Sequence, residues 1–208
     1  MRPLTRLEQR VAPGQIRHAE RVLPCLSPHV APDTLALDFG NGSGAVAHTL
    51  ARTTGARVVG VDVAQNSIFP IRAVAYDGEV LPFRDGTFDL VYAVFVVHHC
   101  PDVKAALREM GRVSKGRVLL VEDVWTNWAN RFWLTFFHVL FDLFMLFLTL
   151  LGKAEWSSFF RYDFKNDTGW KSCFESLGFR LIRAEDVVMH ADYPVKHRLY
   201  LVEKGPES

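Results

Sequence analysis

The segment Asp38-Phe-Gly40-Asn-Gly42-Ser-Gly44 constrains the fold of this chain more than any other. It lies between an apolar run at 34–39 (TLALDF) and a helix-patterned run at 45–53. Glycines at this spacing let the backbone turn tightly and come close to a ligand. The helix beyond offers free N–H groups and the positive end of its dipole. A strand, a glycine turn and a helix in that order form a nucleotide-type site at the carboxyl end of a first strand.

The rest of the chain repeats the alternation. Helical spacing is predicted at 15–26, 102–113 and 168–177, with Gly178 as a C-cap. Strands are predicted at 57–61, 71–75, 88–97, 117–121, 179–184 and 197–203, with a helical turn at 64–68 and a turn at Asp85-Gly86. Strands alternating with helices predict an α/β chain, a Rossmann-like doubly wound, mostly parallel sheet. The last two strands have no helix signal between them and suit an antiparallel pair. At 208 residues the chain suits a single domain over 1–208.

Composition narrows the partners. Lys and Arg number 24 against 23 Asp and Glu, so no basic excess marks the chain for nucleic acid. Cys25, Cys100 and Cys173 are far apart and form no CxxC pair, so neither metal site nor disulfide is expected, and a cytoplasmic location is the simpler reading. Residues 1–10 are polar and lack the apolar core of a signal peptide.

The glycine spacing is GxGxG rather than the dinucleotide GxGxxG. Asp38, two residues before the first glycine, repels a pyrophosphate and suits a cationic ligand. Asp62 ends the second strand, where an acid accepts from both ribose hydroxyls. Asp77 follows the third, where an acid can accept from an adenine amino group. A cap or turn role is the alternative for each acid.

The segments LDFGNGSG, VVGVD and YDGEVLPFRDGTFDLVYAVFVVHHCPDVKAALREMGRVSKGRVLLVED resemble the class I S-adenosylmethionine-dependent methyltransferases. The nearest likeness is to the small-molecule branch that includes the quinone-biosynthesis C-methyltransferases. The resemblance covers about 35–123. It implies about seven strands, the last antiparallel, and S-adenosyl-L-methionine as cofactor. Gly40, Asn41 and Gly42 would line its methionine part, with Asp38 facing the ammonium. Asp62 would take the ribose and Val63 would flank the adenine. Asp77 would accept from the adenine amino group, with Gly78 beside it. Ala93 and Val94 would present backbone near the methionine, and His98 would stand at the strand exit. The interval from Asp62 to Asp77 is shorter than this family leads one to expect, so the third helix is cut to a turn or two.

All five Trp and 15 of 26 aromatics fall within 125–170. Residues 125–167 read as a helical aromatic insertion. Within it, 132–151 is long and apolar enough to span a bilayer, yet a span would part the last strands from their sheet. A substrate lid, a peripheral membrane contact and a homodimer face stay open. Arg131, Thr135, His138, Asp142 and Thr149 make one narrow polar stripe, so the helix is expected to be largely covered. His138 and Asp142 lie one turn apart as a candidate catalytic pair, the acid orienting the base. A satisfied polar stripe is the alternative. Trp156, Phe159, Phe160 and Tyr162 read as packing residues.

Methyl transfer to a lipophilic small molecule (quinone-like, phenolic, thiol or lipid amine) is the leading expectation. A nicotinamide-dependent oxidoreductase and a non-catalytic, membrane-attached or dimerising scaffold are the alternatives.

Overall fold

A computed structural model describes residues 6–64, 67–151, 162–189 and 195–205, with side chains from residue 9. Seven strands form one sheet: β1 (Leu35–Phe39), β2 (Arg57–Asp62), β3 (Arg72–Ala75), β4 (Leu90–Val94), β5 (Arg117–Val124), β6 (Phe179–Val187) and β7 (Lys196–Lys204). Their order is β3-β2-β1-β4-β5-β7-β6. The first five run parallel, and β7 lies antiparallel between β5 and β6. The strand order reverses between β1 and β4, so a crevice opens at their carboxyl ends, where doubly wound sheets bind ligands.

The period of two sorts side chains into two cores. Leu37, Phe39, Val91 and Ala93 face α3 (Val103–Val113) and α5 (Asp167–Ser176). Ala36, Leu90 and Tyr92 face α1 (Arg6–Leu26) and α2 (Ala45–Thr54). Asp38 is in step with Ala36, so its carboxyl enters the α1/α2 layer rather than water.

Four elements differ from the sequence expectation, β6 among them, which runs three residues beyond the predicted 179–184. The helix predicted at 15–26 begins at Arg6 and runs through Pro13-Gly14, a pair that reads locally as a break. The run 88–97 does not stay extended. The strand ends at Val94, Phe95 takes φ +52°, and Val97–His99 form a 3-10 turn. β5 extends to Val124 because all eight of its residues pair with β7, which carries Glu122 and Asp123 into the sheet.

The insertion forms α4 (Trp128–Leu150), capped by Asn127, whose side chain accepts from the Asn130 amide. At a rise of about 1.5 Å per residue this helix is long enough to cross a bilayer. However, the chain returns beside it: the Tyr162 hydroxyl donates to Asp142, and the Asp163 amide donates to the His98 carbonyl 2.8 Å away. By Tyr162 the chain is therefore back against the body of the domain, beside the middle of α4. Trp156, Phe159 and Phe160 fall outside the described residues.

α4 is covered on the polar side. Asp142 is 1% exposed, whereas Trp128 is 81%, Phe147 57% and Leu150 78% exposed. An ordinary surface helix buries its apolar face and wets its polar one. Here the expected cover reaches the middle of the stripe, at His138 and Asp142, but neither Arg131 nor the larger apolar surface.

Candidate active site

The glycine turn is tied to β2. Gly40 N and Asn41 N both donate to Val61 O, at 2.8 and 3.2 Å. Gly42 N donates to Asp62 Oδ2 (2.7 Å), and Val63 N donates to Asp62 Oδ1 (2.7 Å). Asp62 therefore positions the turn as well as ending the strand. Each oxygen keeps a second lone pair for an incoming hydroxyl. The Asn41 side chain lies flat on Gly60, where a β-carbon would come within 2.6 Å of it, and donates from Nδ2 to Ser67 Oγ at 2.9 Å.

Two cavities flank Gly40. The larger, about 560 Å³, is lined by Asp38, Asn41, Gly42 and Val94 on the sheet side. Its other wall is α1, which contributes Arg10, Gln15 and His18. The smaller, about 90 Å³, is lined by Asp62, Val63, Tyr76, Gly78 and His99. Val96 lines the smaller cavity, and its Cγ2 would be 2.2 Å from a β-carbon on Gly40. Ala93 is fully buried in β4.

Asp38 is buried, and its Oδ2 has no hydrogen-bond partner. Burial pushes its carboxyl up to about 8; the neighbouring Tyr92 hydroxyl pulls it down and the Asp62 charge adds to the rise. Asn41 Oδ1 is a second buried acceptor without a partner. Two orphaned acceptors on residues that line a cavity beside a glycine turn fit a ligand that brings a cation and hydrogen-bond donors. S-adenosylmethionine, with its ammonium and sulfonium, is such a ligand and supplies an activated methyl group when bound.

Asp77 has taken up the turn role. Its Oδ1 accepts from Glu79 N (2.8 Å) and Val80 N (3.0 Å), and these amides hold its exposed carboxyl below the usual carboxylate range. Gly78 beside it, not Asp77, lines the smaller cavity.

The histidines are arranged differently from the expectation. His98 lines neither of these cavities and turns inward, its Nδ1 2.5 Å from Glu122 Oε2. Glu122 Oε1 also accepts from Val97 N (2.8 Å) and Val96 N (3.2 Å), so one buried acid pins the whole turn after β4. Burial opposes a charge on His98, but the Glu122 carboxylate outweighs it and raises the imidazole. His138 does not form the expected pair with Asp142. Its Nδ1 donates to Leu134 O (2.9 Å), and its Nε2 lies 3.5 Å from Asp123 Oδ2. Asp142 instead accepts the Tyr162 hydroxyl. Burial lowers the His138 imidazole. Asp123 also binds His197 Nδ1 at 2.6 Å.

Glu122, Asp123 and the wall of α1 were not identified from sequence. The two acids could have been found as charges closing the apolar run VLLVED. Nothing local marks α1.

A family model described as a methyltransferase domain matches residues 37–121, the stretch from β1 to β5 that holds the glycine turn, the smaller cavity and the sheet-side wall of the larger. The chain is an S-adenosylmethionine-dependent methyltransferase. This methyltransferase is 28% identical over 189 residues to the demethylmenaquinone methyltransferase of Staphylococcus aureus, covering 80% of this chain and 78% of the relative. Among solved structures it superposes on geranyl diphosphate methyltransferase in complex with SAM, with TM-score 0.65, 13% identity and coverage of 91% and 85% of the two chains. It also superposes on magnesium protoporphyrin IX methyltransferase from Synechocystis PCC 6803 with bound SAH, with TM-score 0.61, 15% identity and coverage of 99% and 90%. At these identities the structural likeness concerns the fold. The oxidoreductase and scaffold alternatives give way to the methyltransferase reading.

Proposed function

We propose that the methyltransferase acts on a lipophilic small molecule, taken from an apolar surface against which α4 rests. The observation that carries this reading is the inverted α4. Phe132, Phe144, Phe147 and Leu150 face outward while His138 and Asp142 face the body. Leaving several such side chains in water forgoes about 1.5–3 kcal/mol each. A lipid surface or an apolar ligand recovers it. The names of the relatives point the same way: demethylmenaquinone, geranyl diphosphate and a porphyrin each carry a large apolar part.

The reading assigns roles to the cleft. Asp38 faces the cofactor ammonium, and Gly40, Asn41 and Gly42 bear on the methionine part with the backbone of Ala93 and Val94. Asp62 accepts from the ribose, while Val63 and Gly78 flank the adenine. These residues hold the cofactor in one pose and keep water from it. Alignment of nucleophile, methyl and sulfur then supplies most of the rate.

The test is turnover by the full chain with S-adenosylmethionine and a panel of acceptors presented in vesicles: a reduced demethylated naphthoquinone, a prenyl diphosphate, a long-chain phenol and small polar amines. Mass spectrometry counts transferred methyl groups. Methylation confined to the apolar members is expected. Methylation of the polar amines alone overturns the lipophilic reading.

A further inference from the structure

The turn after β4 and the middle of α4 bring three histidines together. One ring nitrogen from each of His98, His99 and His138 lies within 4.8 Å of the others. The rings are close as well, with His98 4.2 Å from His99 and 5.4 Å from His138 between centroids.

The partners of two rings select which nitrogen is offered. His98 Nδ1 is engaged by the Glu122 carboxylate, and His138 Nδ1 by the Leu134 carbonyl. An acceptor on Nδ1 keeps the proton there in the neutral ring and leaves the Nε2 lone pair outward. His98 Nε2 is buried and has no hydrogen-bond partner. In the neutral ring this is an acceptor nitrogen, and with further imidazole nitrogens around it a metal ion that displaces any proton held there completes it.

The surroundings fit an ion better than a hydrogen-bonded water. Histidine ligands of metals donate their second nitrogen to a carboxylate or a carbonyl, the arrangement seen on both His98 and His138. Asp123 Oδ2, 3.5 Å from His138 Nε2, adds negative charge beside the cluster. Phe164 covers His98 and His138 at 4.8 and 4.7 Å, and Tyr162 covers His99 and His138 at 5.7 and 5.4 Å. This lowers the local dielectric and strengthens a charge-to-lone-pair contact.

We propose that His98, His99 and His138 form a site for one divalent transition-metal ion of the zinc type. Three neutral nitrogen ligands match zinc, cobalt and nickel and leave a coordination position for water or an acceptor oxygen. The sequence offers no metal-ligand spacing for this site, because His138 lies 39 residues beyond His99. It stands on these residues whichever molecule is methylated.

The experiment is titration of the metal-free full chain with Co²⁺, followed by its visible ligand-field bands, then displacement by Zn²⁺. One equivalent is expected, with the band pattern of a four-coordinate nitrogen site. His99→Asn and His138→Asn each weaken binding by at least about tenfold, and Glu122→Gln by about 10–100-fold through His98. His48→Asn and Cys100→Ser leave it unchanged. Thermal melting without metal reports whether each variant folds; should His138→Asn fail, His99→Asn at its half-buried position carries the test. No saturable band, binding indifferent to the histidine variants, or binding lost only in Cys100→Ser overturns the proposal.

Discussion

Asp38 and Tyr92 are register partners on β1 and β4, and each buries an oxygen that has no hydrogen-bond partner on the α1 side of the sheet. The pair prepares a cation site at a cost to the free protein. Asp38 is an acid whose folded value is raised, to about 8. Above the ordinary carboxylate range of about 4, the folded state keeps a proton that the unfolded chain releases, so this group makes the free protein less stable as pH rises toward 8. A cationic ligand reverses the preference and expels the proton. Below pH 8, affinity for S-adenosylmethionine should fall by up to about tenfold per pH unit, with proton release on binding. Asp38→Asn should weaken binding and raise the melting temperature at about pH 9. Calorimetry in buffers of different ionisation enthalpy checks both, and a flat affinity from about pH 6 to 8 refutes the assignment.

Gly40 meets two constraints at once: φ is +71°, and a β-carbon would be driven into Val96. Gly40→Ala should cost about 1–3 kcal/mol of stability and push Val96 into the cleft. The double variant Gly40→Ala/Val96→Ala relieves the clash and should recover part of the cofactor affinity. A titration showing Gly40→Ala at wild-type affinity would deny that the contact between Gly40 and Val96 shapes the cofactor cleft.

Asp62 holds two backbone amides of the glycine turn. Asp62→Ala leaves both without their partner, so a loss of about 1–3 kcal/mol accompanies the loss of cofactor binding. Asp62→Asn keeps one carbonyl acceptor and should lose less stability but still lose affinity. Urea unfolding beside calorimetric titration separates the two effects.

Glu122 accepts from two amides and His98 in a fully buried place. Glu122→Ala leaves all three donors unmatched and should destabilise the chain by about 3–5 kcal/mol, read by urea unfolding. An effect under about 1 kcal/mol would mean that the turn after β4 holds without it.

For α4, Phe144→Ser with Phe147→Ser should change stability by no more than about 0.5 kcal/mol per site, since both side chains are exposed. Flotation with phosphatidylcholine vesicles should drop by at least about tenfold. Unchanged flotation would leave the apolar face to another copy of the chain, which light scattering would then detect.

Much of the fold was legible because its signals are local. The apolar runs, the glycine turn and the acids at the strand ends each carry their meaning within a few residues. Asp38, Asp62 and the turn 40–44 therefore stand where their spacing implied. Asp77 was legible only as an alternative between ligand and turn, and the amides of Glu79 and Val80 resolved it toward the turn. His138 and Asp142 show the limit of spacing. One helical turn brings them to one face, but Leu134, Asp123 and Tyr162 decide what each one holds.

The sequence by itself determined the alternation of strands and helices, the nucleotide-type turn and the chemical character of its ligand, because period and spacing act over short distances. Only the tertiary structure decided that α1 walls the larger cavity, that α4 turns its polar stripe inward, and that His98, His99 and His138 converge. Those outcomes depend on which faces meet across the sheet, and contacts between segments far apart in the chain leave no periodic trace in either segment.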